Sequence, residues 1–275
     1  ELAQQVGMQV PESRDRAGDG GGKVAALSEV LKSAADFYRT QLRDSPAAIE
    51  YLKARGLTGQ TAARFGLGFA PDAWQPLRAA FERYDEAELV EAGLVIADEG
   101  KRYDRFRGRI MFPIRNARGN VIGFGARILG AGEPKYLNSP ETPLFRKGQE
   151  LYGLHEARES IRSAGRAIVC EGYLDVIQLS QAGFGEAVAA LGTAVTGAHV
   201  STLLRTTDHV IFAFDGDAAG RKAARRALEA TLPVIGDMKR ASFALLPEGE
   251  DPDSLVKKHG TTGFAAELEQ ALPLS

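Results

Sequence analysis

The feature that most constrains the fold is a regular alternation of short apolar segments and helical patterns that begins near residue 166. Apolar segments of four to five residues predict strands at 167–170, 187–191, 210–214 and 243–246. Helical patterns fill the intervals between them, at 174–182, 198–206 and 218–232. Strands that alternate with helices in this way form βαβ units, which place parallel strands side by side through right-handed crossovers. We therefore predict an α/β architecture with a mostly parallel sheet.

Acidic residues directly follow three of these four predicted strands. They are Glu171 and Asp175 after the first strand, Asp215 and Asp217 after the third, and Glu250, Asp251 and Asp253 after the fourth. Because ligands of an open parallel sheet bind outside the carboxyl ends of its strands, we expect these side chains to converge on one crevice. Crowded carboxylates raise one another's pKa unless a cation neutralises them, and an all-oxygen ligand set suits Mg²⁺ or Mn²⁺. A pair of such ions about 3.5–4 Å apart is suited to in-line phosphoryl displacement.

A purely structural interpretation of the same acids stays open. Asp-Gly-Asp after a strand is typical of a turn with a helix cap, so Asp217 is expected to cap the helix that begins at residue 218. Residues 250–253 on their own are typical of a solvated loop. The recurrence of acids at three strand ends is what favours the metal site.

The basic residues are concentrated in a different part of the chain. The net charge is −2, yet residues 101–150 contain 11 Lys and Arg against 4 Asp and Glu, a balance of +7. The other 225 residues therefore carry −9, which is −2 minus +7. This division indicates a polyanion-binding surface beside an acidic site, although a solvated basic face explains the composition equally well.

The first 165 residues follow a different pattern from the rest. Residues 1–23 are polar and end in a glycine-rich run, which predicts a flexible leader. Helical patterns then occupy 24–42, 46–55 and 58–65, and a β pattern extends from 93 to 137. The predicted domains are a leader at 1–23, a basic α+β subdomain at 24–165, the α/β subdomain at 166–256 and a helical C-terminal segment at 257–275.

Several classes of protein are excluded by what the sequence lacks. Cys170 is the single cysteine, which excludes an internal disulfide and a cysteine-rich zinc site. No apolar run approaches the roughly 20 residues of a membrane span, and the first residues lack a signal-peptide pattern. There is no Walker A sequence, and the dinucleotide fingerprint that starts at Gly123 fails because Ile128 stands where it needs glycine. We expect a cytoplasmic protein with no membrane partner.

Short motifs in both halves carry a family resemblance. EGYLD at 171–175, DGDAAGR at 215–221 and GEDPD at 249–253 are similar to the Toprim signature, in the form found in bacterial replicative DNA primases of the DnaG type. The Toprim acids are shared with topoisomerases and some nucleases. More specific to primases are three further stretches: YLKARGL at 51–57, YDRFRGRIMFPI at 103–114 and PKYLNSPETPLFRKGQELYGL at 134–154. The resemblance covers residues 24–275 and implies a Rossmann-like Toprim fold for the α/β subdomain.

The resemblance implies a DNA-directed RNA polymerase that makes short RNA primers on single-stranded DNA for replication, by two-metal nucleotidyl transfer. The implied catalytic residues are Glu171, Asp215 and Asp217, with Glu171 acting as a general acid/base or as a metal ligand. Two or more Mg²⁺ or Mn²⁺ ions would be held by Glu171, Asp175, Asp215, Asp217, Asp251 and Asp253. The basic subdomain would form the other wall of the cleft and bind nucleotide or template through Arg55, Arg107, Arg109, Arg127, Lys135, Asn138 and Lys147.

The resemblance also implies the partners. They are a single-stranded DNA template, ribonucleoside triphosphates and the RNA–DNA primer duplex. The family's zinc-binding module and helicase-binding domain have no counterpart in the sequence, so we expect a catalytic core without zinc. The replicative helicase and the single-strand-binding protein would be partners of the full-length protein at the replication fork.

Two other functions stay open at the level of sequence. Another Toprim enzyme, a nuclease or a topoisomerase-like enzyme that cleaves strands, predicts nicking of a plasmid without ribonucleotides. A non-catalytic module that binds single-stranded nucleic acid predicts no requirement for divalent ions, and leaves the acids at three strand ends unexplained.

Overall fold

The computed structural model describes residues 17–274, which form two main sheets, one in each half of the chain. In chain order the N-terminal half contains α1 (Ala17–Arg43), α2 (Pro46–Ala54), α3 (Gly59–Arg64), β1 (Gly68–Ala70), a 3-10 turn (Pro76–Ala79), α4 (Ala87–Glu91), β2 (Val95–Asp98), β3 (Lys101–Asp104), β4 (Arg109–Arg115), β5 (Val121–Ile128) and β6 (Tyr136–Asn138). The C-terminal half contains β7 (Leu151–Tyr152), α5 (Leu154–Ala164), β8 (Ala167–Cys170), α6 (Tyr173–Gln181), β9 (Ala187–Ala190), α7 (Gly197–Leu204), β10 (His209–Phe214), α8 (Ala218–Thr231), β11 (Arg240–Leu245), α9 (Pro252–Glu269) and β12 (Leu272–Pro273).

The N-terminal sheet is buried on both faces, which explains the nearly continuous apolar sequence of β4. Its antiparallel strands have the order β1-β4-β5-β6. Side chains alternate across a strand, so Met111 packs under α1 beside Tyr38, whereas Ile110 and Phe112 face the C-terminal half. The basic subdomain is thereby fixed against the second sheet through a shared core. Although α1 has 27 residues, no described helix combines the length and apolarity needed to cross a membrane.

The C-terminal sheet has the predicted α/β architecture. Its strand order is β12-β11-β10-β8-β9-β7, and the four central strands are parallel. Helices α5, α7 and α8 pack on one face of this sheet, and α6 and α9 pack on the other. The strands that the acids follow, β8, β10 and β11, are neighbours although β9 lies between β8 and β10 in sequence. Three acidic clusters therefore lie at one edge of the sheet.

The two ends of the chain differ from the prediction. Residues 17–23 belong to α1 rather than to a flexible leader, and Lys23 pairs with Glu91 of α4 at 2.8 Å, which ties this part of the helix to the fold. Residues 1–16 lie outside the described residues. A boundary at residue 257 falls inside α9, because Asp251 caps that helix and Pro252 starts it. After α9 the chain adds β12 to the sheet instead of continuing as helix.

Candidate active site

The ends of β8 and β10 bring two of the predicted acids into direct contact. The strands are parallel neighbours, with Phe212 opposite Val169, so the chain leaves both at the same edge. The main-chain amide of Asp215 donates a hydrogen bond to Glu171 Oε1 at 3.2 Å. Glu171 and Asp215 thus stand side by side where the prediction expects a metal site.

The loop after β11 lies against the loop after β10 at the same edge of the sheet. The amide of Gly216 donates to the carbonyl oxygen of Glu250 at 2.9 Å, which ties the loop after β10 to the loop that carries Asp251. A Cβ at position 216 would lie 1.9 Å from the carbonyl oxygen of Pro247, so only glycine permits this approach. We call the resulting group the acidic edge, comprising Glu171, Asp175, Asp215, Asp217, Asp251 and Asp253.

Four members of the acidic edge also make local contacts. Asp217 Oδ1 accepts from the amide of Gly220 at 2.7 Å and caps α8, which confirms the predicted cap. In the same way Asp251 Oδ1 accepts from Ser254 at 2.6 Å and caps α9. Asp175 accepts from the amide of Gly172 at 2.9 Å, and Asp253 pairs with Lys257 at 2.7 Å. Three main-chain contacts and one ion pair thus hold these carboxylates in place despite their mutual repulsion.

Tyr173 joins the acidic edge to the N-terminal sheet. Its hydroxyl donates to Asn138 Oδ1 at 2.8 Å, and Asn138 Nδ2 donates to the carbonyl oxygen of Leu191 at 3.3 Å. The Tyr173 ring stacks on Phe112 with 5.1 Å between centroids. A Cβ at Gly125 would lie 2.2 Å from Tyr173 Cζ, so the absence of a side chain on β5 lets the two halves meet here.

A layer of cations and aromatic rings lies beside Tyr173. The Arg127 guanidinium donates to the Tyr136 hydroxyl and lies 5.0 Å from the Tyr136 ring centroid and 5.9 Å from that of Tyr51. The Tyr136 ring in turn stacks on Tyr173 at 6.3 Å. Arg127, Lys135 and Tyr51 line one cavity of about 310 Å³. We call this layer the basic wall, defined by Tyr51, Arg55, Arg127, Lys135 and Tyr136.

Comparison with known proteins identifies both halves. The family model for the N-terminal domain of the DNA primase catalytic core matches residues 37–158, and the Toprim domain model matches residues 165–238. The crystal structure of a DNA primase domain from Pseudomonas aeruginosa is 53% identical, with a TM-score of 0.86, over 90% of this chain and 80% of that chain. This chain belongs to the bacterial DNA primase family.

Other primases show the same likeness. A DnaG primase catalytic domain bound to single-stranded DNA is 46% identical, with a TM-score of 0.87, over 92% of this chain and 81% of that chain. The DNA primase of Neisseria meningitidis is 56% identical over 242 residues, which is 88% of this chain and 41% of that protein. The chain therefore spans about two fifths of the length of the curated primases it matches.

Crowding and burial raise the pKa values of the acids in this primase core. Burial and then the charge of Asp215 raise the pKa of Asp175 to about 8. Burial and then the charge of Glu171 raise the pKa of Asp215 to about 7. The pKa of Glu171 is also raised, mainly by burial, with Asp217 adding to the effect. Part of the acidic edge therefore holds protons near neutral pH unless a cation replaces them.

Toprim-domain primases generally use divalent metal ions, and the acidic edge has two features that fit such an ion. Asp215 Oδ1 is buried without any hydrogen-bond partner among the side chains and main chain of residues 21–274. The available ligands are all oxygen, which suits Mg²⁺ and Mn²⁺. As the side chains stand, however, no three His, Cys, Asp or Glu residues of the described chain are arranged to hold a metal. Asp217, Asp251 and Asp253 each bind Gly220, Ser254 or Lys257 through one carboxylate oxygen, which leaves the second oxygen of each for an ion.

The remaining predicted nucleic-acid contacts occupy varied positions. Arg55 ends α2, where its carbonyl accepts from Gln178 at 2.5 Å and its guanidinium lies 5.6 Å from the Tyr51 ring. The Arg107 guanidinium lies 5.2 and 5.0 Å from the ring centroids of Trp74 and Tyr103, which contact each other edge to face. Lys147 is fixed through its main chain, where its carbonyl oxygen lies 2.8 Å from His199 Nε2.

Arg109 is only 6% exposed, and its guanidinium donates to the carbonyl oxygen of Pro134 at 2.8 Å. Its position therefore supports the loop that carries Lys135, rather than exposing a cation to a ligand.

Sequence reasoning missed the residues that join the two charged regions. Tyr51, Tyr136 and Tyr173 lie within the primase-like motifs, but no pattern in the sequence assigns them a role. The available signal was Gly125, a glycine inside a strand, which often marks a close approach of another group. Phe106 and Phe112, by contrast, are fully buried, Phe106 in the core under α1 and Phe112 in the core shared with the C-terminal half.

Proposed function

We propose that this chain is the catalytic core of a DNA-directed RNA polymerase that synthesises short RNA primers on single-stranded DNA. The observation that carries the proposal is the contact between Glu171 and Asp215 at the sheet edge, with the basic wall reaching the same place through Tyr136 and Tyr173. A ligand that carries phosphates and divalent ions is complementary to both regions at once. The likeness to a primase domain bound to single-stranded DNA supports the same substrate.

In this mechanism the chain acts mainly by positioning and by electrostatic stabilisation. The acidic edge would hold Mg²⁺ or Mn²⁺, and when bound such ions supply activation of the primer 3′ hydroxyl and neutralisation of the leaving pyrophosphate. Glu171 would either ligate an ion or accept the proton of the 3′ hydroxyl at its carboxylate. Asp215, with its unpaired Oδ1, would be the central ligand.

The basic wall would bind the phosphates of template and nucleotide. Contacts of Lys and Arg with phosphate give affinity that does not depend on sequence and that falls with salt, which suits an enzyme that must follow any template. Asn138 would orient Tyr173 and so keep the wall in register with the acids.

The decisive experiment measures incorporation of labelled ribonucleotides on a single-stranded template, with and without Mg²⁺ or Mn²⁺. We expect ribonucleotide products that require both the template and a divalent ion. Supercoiled plasmid incubated without ribonucleotides is the control for strand cleavage. Nicked plasmid without primer synthesis would replace the proposal by a Toprim nuclease, and template binding without any divalent-ion-dependent chemistry would leave only a binding module.

A further inference from the structure

A second cavity opens beside Glu171 on the face of the C-terminal sheet that carries α8. It has a volume of about 520 Å³ and is lined by the ends of β8, β9 and β10, by the loop after β9 and by α8. This size lies within the range of about 300–1,000 Å³ that is typical of small-molecule sites. The basic wall reaches the acids from the opposite face, where Tyr173 and α6 lie. We call this second space the α8 cavity.

The topology of the sheet makes the α8 cavity a natural place for a ligand. From β8 the chain continues to β9 on one side, while β10 pairs with β8 on the other side. The loops after β8 and β10 leave toward opposite faces, to α6 and to α8. A crevice opens at such a switch point, and ligands of open α/β sheets bind there.

Two cations of α8, Lys222 and Arg226, line this cavity, and they differ from the neighbouring arginines of the helix, which have partners. Arg221 donates to the carbonyl oxygen of Gly216 at 3.1 Å, and Arg225 pairs with Glu229 at 3.2 Å. Lys222 and Arg226 are both exposed and form no hydrogen bond or ion pair within residues 21–274, whose side chains the structure describes. They are four residues apart and so share one face, where like charges destabilise a helix. An anion between them would remove that repulsion.

Neutral donors complete the lining opposite the two cations. Gly192 lies in the loop after β9 with a positive φ of 70°, and the exposed Thr193 follows it. The amides of Gly192, Thr193 and Ala194 donate to no other residue of the described chain. Unpaired amides, a hydroxyl, an ammonium and a guanidinium are together the groups that bind phosphate oxygens.

We propose that the α8 cavity binds a polyphosphate group through Lys222 and Arg226, next to Glu171. The inference rests on the proposed function, because in primer synthesis this group comes either from the triphosphate of a ribonucleotide or from the released pyrophosphate. Glu171 lines the α8 cavity and also touches Asp215, so an ion held at the acidic edge could share oxygens with the bound phosphate. The cavity thus gives phosphates a second cationic side, separate from the basic wall.

The first test measures the affinity of the whole chain for inorganic pyrophosphate in the presence of Mg²⁺ by titration calorimetry. We expect Lys222→Ala and Arg226→Ala each to weaken binding about tenfold, the effect of losing one charge-assisted contact. Arg225→Ala is the matched control, because it removes the same charge from the same helix outside the cavity; we expect a change of less than about twofold. Unchanged affinity in both cavity variants overturns the proposal, as does an equal loss in Arg225→Ala.

Steady-state primer synthesis then distinguishes the two sources of the phosphate. A higher KM for ribonucleotides with unchanged kcat in Arg226→Ala assigns the cavity to the incoming triphosphate. Weaker inhibition by pyrophosphate with unchanged KM assigns it to the product. If the wild-type chain makes primers but both cavity variants bind pyrophosphate normally, the proposal for the α8 cavity is wrong and the proposed function stands. If pyrophosphate binding depends on Lys222 and Arg226 but the chain makes no primers, the proposal for the α8 cavity stands and the proposed function is wrong.

Discussion

The acidic edge and the basic wall carry opposite charges and are held in place by different means. In the acidic edge, main-chain amides bind the carboxylates, as at Asp217 and Asp251. In the basic wall, aromatic rings and hydroxyls hold the cation, as at Arg127 with Tyr51 and Tyr136. Within residues 17–274 no ion pair joins a member of the acidic edge to a member of the basic wall. Because neither region neutralises the other, the charge of each is left available for a ligand.

The largest expected effect comes from neutralising one acid without changing its shape. Asp215→Asn keeps the main-chain contact with Glu171 and removes a charge, so we expect primer synthesis to fall about a hundredfold or more. Binding of single-stranded DNA, measured by fluorescence anisotropy, should stay within about twofold, because the basic wall provides it. Retained synthesis would remove Asp215 from the active site, and a parallel loss of DNA binding would mean that the two regions are not independent.

A second expected effect concerns the junction between the two regions. Gly125→Ala places a methyl group against the Tyr173 ring, and we expect the free energy of unfolding to fall by about 1–3 kcal/mol, a typical cost of overpacking. Urea denaturation measures this change. Gly130→Ala is the control, since no atom lies within 4 Å of the position its Cβ would take. If Gly125→Ala is as stable as Gly130→Ala, the halves do not meet at Tyr173 as described.

The acidic edge also predicts how stability depends on pH. The pKa values of Asp175 and Asp215 are raised to about 8 and about 7, so the metal-free folded state binds protons that the unfolded state has already released. Stability therefore falls as the pH rises from about 5 to about 8, the opposite of a carboxylate whose pKa is lowered on folding. Thermal unfolding across this range, in buffer that contains a chelator, measures the slope.

Magnesium and a charge-neutral variant sharpen that test. Added Mg²⁺ should raise Tm more at pH 8 than at pH 5, because the ion binds the deprotonated acids. The double variant Asp175→Asn, Asp215→Asn should flatten the slope between pH 5 and 8. A wild-type slope of the opposite sign would show that the acids are not crowded in solution.

The smallest expected effect distinguishes the role of Lys135 from that of Arg109, two cations of the N-terminal half. Lys135 is exposed, so Lys135→Ala should reduce the slope of log affinity against log salt by about 0.7, the value for one phosphate of single-stranded DNA. Arg109 is buried against Pro134, so Arg109→Ala should lower Tm, whereas Lys135→Ala leaves it unchanged. Equal salt slopes for wild type and Lys135→Ala would exclude a phosphate contact at Lys135.

Local patterns were sufficient to predict much of this primase core. The strands that end at Cys170 and Phe214 could be predicted because each contains four or five consecutive apolar residues bounded by glycine and acidic residues. Proximity of Glu171 and Asp215 followed from a general rule, that parallel neighbouring strands present their carboxyl ends at one edge. The motif around Lys135 was specific enough to indicate the primase family, whereas the motif around Asp175 indicated the Toprim fold.

Only the tertiary structure decided which residues far apart in the sequence contact each other. Nothing local to Gly125 reveals that it faces Tyr173, and nothing local to Arg109 reveals that it is buried while Lys135 is exposed. Likewise, the spacing of Lys222 and Arg226 indicates a shared face but not the cavity in front of it. Periodicity and spacing report which face of an element a side chain occupies. What covers that face depends on how the sheets and helices pack, which is set by long-range contacts.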